Sequence, residues 1–190
     1  MKNTIAVLAI LSLLGTARAD VYDIDPGHAE IGFAVKHLLV SNAKGKFKKF
    51  TGTITLDADN KLVGAETTID AASIDTNNEK RDKHLLNEDF FNVEKFPNIT
   101  FKSTKVESTG DSTYNVTGNL NVLGKDHEIT FPAEISGPIE DPWGNTRLGM
   151  ETNTKLDRRE LGITYGKASV IADTVKVELN IEAIKQQPKK

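Results

Sequence analysis

The chain has 190 residues, no cysteine, and 24 Lys and Arg against 27 Asp and Glu, a formal charge of −3. Disulfide scaffolds are excluded, and an acidic chain is a poor prospect for nucleic acid, whose binding depends on neutralising phosphates. The length suits one domain with a sizeable core.

The first nineteen residues read as an export leader. Lys2 gives a positive start, Ile5–Leu14 an apolar run and Ala17–Ala19 a small-residue cleavage signal. That run is too short for a bilayer span, which takes ~20 residues, and no later stretch is apolar enough to cross. The mature chain is expected to start at Asp20 as an exported, soluble domain over residues 20–190, not membrane-spanning. Losing Lys2 and Arg18 with the leader takes the formal charge from −3 to −5.

Period-two alternation follows along the chain. In "HAEIGFAVKHL", Ala29, Ile31, Phe33, Val35 and His37 share one face. "KGKFKKF" (Lys44 to Phe50) interleaves four lysines with two aromatics. Its plain reading is a charged edge that blocks strand-to-strand aggregation; the alternative is attraction to an anionic headgroup or membrane surface. Phe50, Ile54 and Leu56 alternate with threonines, and Ile69 shares a face with Val63, Ala65, Thr67 and Ala71.

"EKRDKHLLNEDFF" (Glu79 to Phe91) breaks the rhythm. "TNNE" (Thr76 to Glu79) fits a capping box, Leu85, Leu86 and Phe90 form an apolar stripe, and Pro97 is a stop. This predicts an amphipathic helix over about 77–90, packed as a lid on one open end of the barrel. His84 and Glu88 share a helix face with Asp82 nearby, but metal sites need three or four converging ligands. A solvated face with local ion pairing is the expectation, and no metal ligand is assigned.

Alternation resumes through Ile99 and Phe101, then Tyr114, Val116, Leu120 and Val122. It continues through Ile129, Phe131, Ala133 and Ile135, through Leu148, Met150 and Leu156, and through Val175, Val177, Leu179 and Ile181. Trp143, the chain's tryptophan, lies in the Pro/Gly-rich loop "SGPIEDPWGNTR" and is expected to pack over a barrel end or form part of a ligand portal. Eight or nine strands with short turns fit a sandwich or a barrel, and long consecutive strands favour an all-β, up-and-down antiparallel barrel with a small helical insert. Such barrels either fill with side chains or hold one apolar ligand.

No nucleophile motif or phosphate loop is present, and no catalytic residue is assigned. His37 shares the inward parity of Ile31, Phe33 and Val35. It is either satisfied by a backbone neighbour or supplies a polar contact to a ligand headgroup.

The stretches "HAEIGFAVKH", "GKFKKFTGTI", "DTNNEKRDKHLLNEDFFNVEKFPNITFKS", "DPWGNTRLGME" and "VKVELNIEA" together resemble the YceI-like polyisoprenoid-binding family. The resemblance runs from about residue 20 to 185. It implies a lipocalin-like barrel whose apolar lumen holds a long isoprenoid or quinone tail, a periplasmic location, and a homodimer in many members. Tail contacts are then expected at Ile31, Phe33, Val35, His37, Phe50, Ile54, Ile69, Phe101, Phe131, Met150 and Val177. Arg81, Asp82, His84, Leu85, Phe90 and Trp143 are the lid or portal candidates. Burial is worth ~0.8 kcal/mol per CH₂ against an association cost of ~4–15 kcal/mol, so only several isoprene units bind tightly. The rival expectations are another amphiphile such as a fatty acid or amide, an enzyme using His37 or the His84 cluster, and a filled, purely structural barrel.

Overall fold

The structure, a computed structural model, describes residues 19–187. The leader expected over residues 1–19 lies outside that range apart from Ala19. Eleven strands form one antiparallel sheet. They are β1 (Asp20–Ile24), β2 (Glu30–His37), β3 (Ser41–Phe47), β4 (Phe50–Leu56), β5 (Leu62–Asp70), β6 (Ile74–Asp75), β7 (Asn98–Ser108), β8 (Thr113–Val122), β9 (Lys125–Glu140), β10 (Thr146–Asp157) and β11 (Ile171–Lys185). The order β1-β4-β5-β7-β8-β9-β10-β11, with β11 returning to β1, closes the eight-stranded barrel that the alternation predicts.

β11 makes the closure unusual. One edge pairs with β10, whereas the other is divided: Val175–Asn180 pair with β2, and Ala183–Lys185 pair with β1. β2 and β3 therefore form a hairpin that leaves the ring and flares above it, and β3 then meets the short β6.

At the tip of that hairpin Val40 N donates to His37 O at 3.1 Å. Leu38 and Leu39 between them adopt φ of 48° and 61°. Paired left-handed residues in a hairpin turn ordinarily call for Asn-Gly, and side chains with a Cβ adopt this region at ~1–2 kcal/mol per residue. Two leucines stand there instead.

The lower half of the barrel is solid. Tyr22, Ile54, Leu56, Val116, Leu148 and Ala183 are all at most 2% exposed, each large aliphatic contributing ~1.5–3 kcal/mol by burial. Gly118 lets the Phe101 ring lie against β8, because a Cβ there would meet that ring and the Lys102 carbonyl. Phe101 in turn packs on Phe131 with centroids 5.3 Å apart.

Charge closes the seam at this end. Arg147 Nε donates to Asp141 Oδ2 at 2.6 Å, and Nη1 donates to Asp25 Oδ2 at 3.0 Å and to Glu182. One guanidinium thus ties β10 to β11, to the β1–β2 turn and to the β9–β10 turn. Burial alone would raise the Asp141 carboxyl, but bonds from Arg147, Asn145 and the Trp143 amide outweigh it and hold it well below the ordinary range. His28, then Arg147 and the Gly27 amide, hold the Asp25 carboxyl down as well, against a smaller upward push from burial.

Candidate functional site

Above the solid half, the flare of β2 and β3 leaves space that the side chains do not fill. The result is a cavity of about 750 Å³, within the range of ~300–1,000 Å³ usual for ligand sites. Its walls are Ile31, Phe33 and Val35 from β2, Ala43 and Phe47 from β3, Ile69, Ile99, Leu120 and Val122 opposite, and Leu156, Val175 and Val177 from β10 and β11. The lysine and arginine residues reaching the lining are Lys36, Lys80, Arg81 and Arg158, and no Asp or Glu among the described residues reaches it.

A helix roofs one side. It is α1 (Glu79–Leu85), shorter than the expected 77–90 at both ends. Asn77 is left-handed at φ 57°, so the cap falls to Asn78, whose side chain accepts from Arg81 N at 3.0 Å. The capping box expected from Thr76 and Glu79 is thereby corrected. At the other end Asn87 Oδ1 accepts from Asp89 N at 2.9 Å, a local bond that competes with helix continuation. Leu85 and Phe90 line the cavity, and Leu86 packs against the core cluster.

Thr76 is the peg that holds this helix. Buried itself, it gives its amide to Asp82 Oδ1 at 3.0 Å and its hydroxyl to the same oxygen. Arg81 returns to it, Nε to Thr76 Oγ1 at 2.7 Å and Nη2 to Thr76 O at 2.8 Å. Arg81 and Asp82 therefore pin the lid, and Arg81 also reaches the cavity lining whereas Asp82 does not.

The loop between β10 and β11 roofs the other side with Leu161, Ile163, Tyr165 and Val170. Arg158, 3% exposed, organises it. Its Nε donates to Ala172 O, its Nη1 to the Ile163 and Tyr165 carbonyls, and its Nη2 to Ile171 O and Asp173 Oδ1, all within 2.8–3.0 Å. Burial, with Arg159 alongside, lowers the Arg158 pKa. The two roofs meet in an aromatic group: Tyr165 stands edge-on to His84 with centroids 5.0 Å apart and packs on Phe90 at 5.2 Å. His84 Nε2 is 2.9 Å from Asp89 Oδ2.

Of the residues expected to meet a lipid tail, Ile31, Phe33, Val35, His37, Ile69 and Val177 border the cavity. Phe50, Ile54, Phe101, Phe131 and Met150 do not. Four are buried in the packed core, and Phe101 lies partly buried against it. Alternation fixes which way a side chain points, not its height along the barrel. Trp143 is also corrected as a portal residue. It is 81% exposed on the β9–β10 turn, beyond the end of β10 remote from Leu156, roughly 30 Å away at ~3.3 Å per residue.

The loop residues and Arg158 carry no period and escape a reading by alternation. Their signal is an apolar run, "LGITYG", in a segment without strand alternation. His127 Nε2 is the one buried side-chain polar atom without a hydrogen-bond partner among the described residues, and His127 does not line the cavity. Asp25, His28 and Glu182 bring ligand-type atoms within 4.8 Å of one another. The Arg147 guanidinium already sits on both carboxylates and supplies the positive charge a cation would bring.

The YceI-like domain matches residues 22–183. A UPF0312 protein of Pseudomonas aeruginosa is 41% identical, over 98% of this chain and 100% of that protein. The solved structure of a Campylobacter jejuni YCEI protein is 31% identical with a TM-score of 0.74, covering 80% of this chain and 90% of that one. A polyisoprenoid binding domain from Saccharophagus degradans, described as implicated in plant cell wall breakdown, shares the fold with a TM-score of 0.68 at 14% identity, covering 87% of this chain and 98% of that one.

Proposed function

The chain belongs to the YceI-like family, and from that premise we propose that it holds a polyisoprenoid or quinone-type lipid with its tail in the cavity. The single observation that carries the reading is the cavity itself, about 750 Å³ walled by aliphatic and aromatic side chains. The tail would lie between β2 and the β5–β7–β8 wall. The headgroup would sit at the mouth, where the lining residues His37, Lys36 and Lys80 are exposed to solvent. No reaction is assigned. Export through the residue 1–19 leader would place the protein in the periplasm, where it would carry or store its lipid.

Gently purified protein should release an extractable lipid and show the matching mass in native mass spectrometry. Phe33→Asp and Val177→Asp each place a charge on the wall. Each should weaken binding of an added quinone by about tenfold or more, with the strand circular dichroism unchanged. Recovery of a fatty acid or amide would replace the isoprenoid with that amphiphile. An empty barrel that also fails to take up quinones or isoprenoids would sink the reading.

A further inference from the structure

The longest unbroken run of exposed large apolar residues in the described chain is the turn between β2 and β3. Leu38, Leu39 and Val40 are 52%, 66% and 80% exposed. Water disfavours them there, and Leu38 and Leu39 also occupy the left-handed turn positions that Asn-Gly fills most readily. Local conformation and solvation both argue against these residues, a conflict that proteins retain mainly at functional sites.

The tip stands at the cavity mouth. Leu38 N donates to Val170 O at 2.9 Å, and His37, Ser41 and Val170 belong to the cavity lining and are themselves exposed to solvent. The two strands that carry it are rich in lysine. Residues 31–56 contain five lysines and no carboxylate, in a chain whose net charge is −3. Lys46 and Lys48 are paired with Glu30 and Asp75. Lys36 and Lys44, which flank the tip, have no carboxylate partner within ion-pair distance among the described residues.

We propose that this tip and its lysine collar dock the protein on an anionic lipid bilayer, leucines and valine in the acyl boundary and lysines at the headgroups. An apolar patch with cations around it is the composition that binds such surfaces, apolar burial and electrostatic attraction acting together. Docking in this orientation turns the cavity mouth towards the membrane, so that an apolar chain passes between bilayer and barrel without crossing water. The docking surface goes beyond lipid binding in the cavity and is tested separately from it.

The chain lacks cysteine and has a single tryptophan, Trp143, at the opposite end, which makes an orientation-specific test available. Full-length Val40→Cys protein carrying an environment-sensitive dye is mixed with phosphatidylglycerol vesicles containing a nitroxide-labelled lipid. The dye should shift to the blue and be quenched, the more so as phosphatidylglycerol rises and the less so as salt is added, while Trp143 emission is not quenched. Adding Leu39→Glu, with the dye kept on Val40→Cys, should reduce partitioning about tenfold or more without changing the thermal midpoint or the lipid extracted. A dye that ignores vesicles, quenching of Trp143 in its place, or a tip buried by self-association without vesicles would overturn the proposal. Tip insertion by a protein with an empty cavity would uphold docking and remove the lipid-carrier reading. Lipid-loaded protein without insertion would do the reverse.

Discussion

At the scale of single residues, Arg158 shows how one side chain converts an irregular loop into a roof. Five acceptors, four of them backbone carbonyls, converge on its guanidinium from the middle of the β10–β11 loop and from the start of β11. A planar fork matches that arrangement, and lysine, with one ammonium, cannot. Arg158→Met should destabilise the protein by about 3–5 kcal/mol, the usual effect of removing one partner from a buried ionic network. Urea unfolding measures this, and a change within error would show that the carbonyls find water instead. Nothing in the residue pattern singles out Arg158 over Arg159, because adjacent arginines differ only in which way the chain turns. Arg159 is half-buried and bonds Asp173 and the carbonyls of Thr164 and Gly166.

At the scale of elements, strands were legible and the lid was legible in outline. Strict alternation in "YNVTGNLNV" or "TVKVELNIEA" leaves one assignment, whereas "TNNE" offers several capping residues and only backbone geometry selects Asn78. β1 and β6, five and two residues long, are too short to show a period, so their partners could not be read. The same limit explains the site: Ile54 and Ile69 have equal claims by parity, yet one is core and the other borders the cavity. The lid gives a direct test. Thr76→Val removes the hydroxyl that serves both Asp82 and Arg81 and should cost about 1–3 kcal/mol, the penalty for leaving half-buried polar groups unpaired. Amide exchange across Glu79–Leu85 should quicken relative to the lower barrel, and Thr76→Ser should restore it. Equal exchange in the Thr76→Val variant and the wild-type protein would mean that apolar packing of Leu85 and Phe90 alone holds the helix.

At the scale of the whole molecule, stability should depend on acid through the Arg147 seam. The Asp25 and Asp141 carboxyls are both held below their ordinary value of 3.8. A carboxyl lowered in the folded state contributes stability that is fully present above its unfolded pKa and is lost as pH falls through the folded one. The protein should therefore hold its urea midpoint near neutral pH and lose it below about pH 4. Asp141→Asn should lower the midpoint at neutral pH and flatten the acid slope, because the variant has no carboxyl to protonate there. An unchanged slope would place the acid sensitivity elsewhere.

The divided edge of β11 has a consequence for how the cavity keeps its character. The pairing of Ala183–Lys185 with β1 and of Val175–Asn180 with β2 lies on one uninterrupted edge, so both partners share a single numbering of in and out. A slip of one residue at the seam would present Lys176, Glu178 and Asn180 to the interior in place of Val175, Val177 and Leu179, since side chains alternate strictly along a strand. The unbroken ladder with β10, from Arg147–Ile184 to Asp157–Thr174, and the small ionic knot at its closed end therefore hold one phase. Together they keep one half of an alternating strand facing the open chamber.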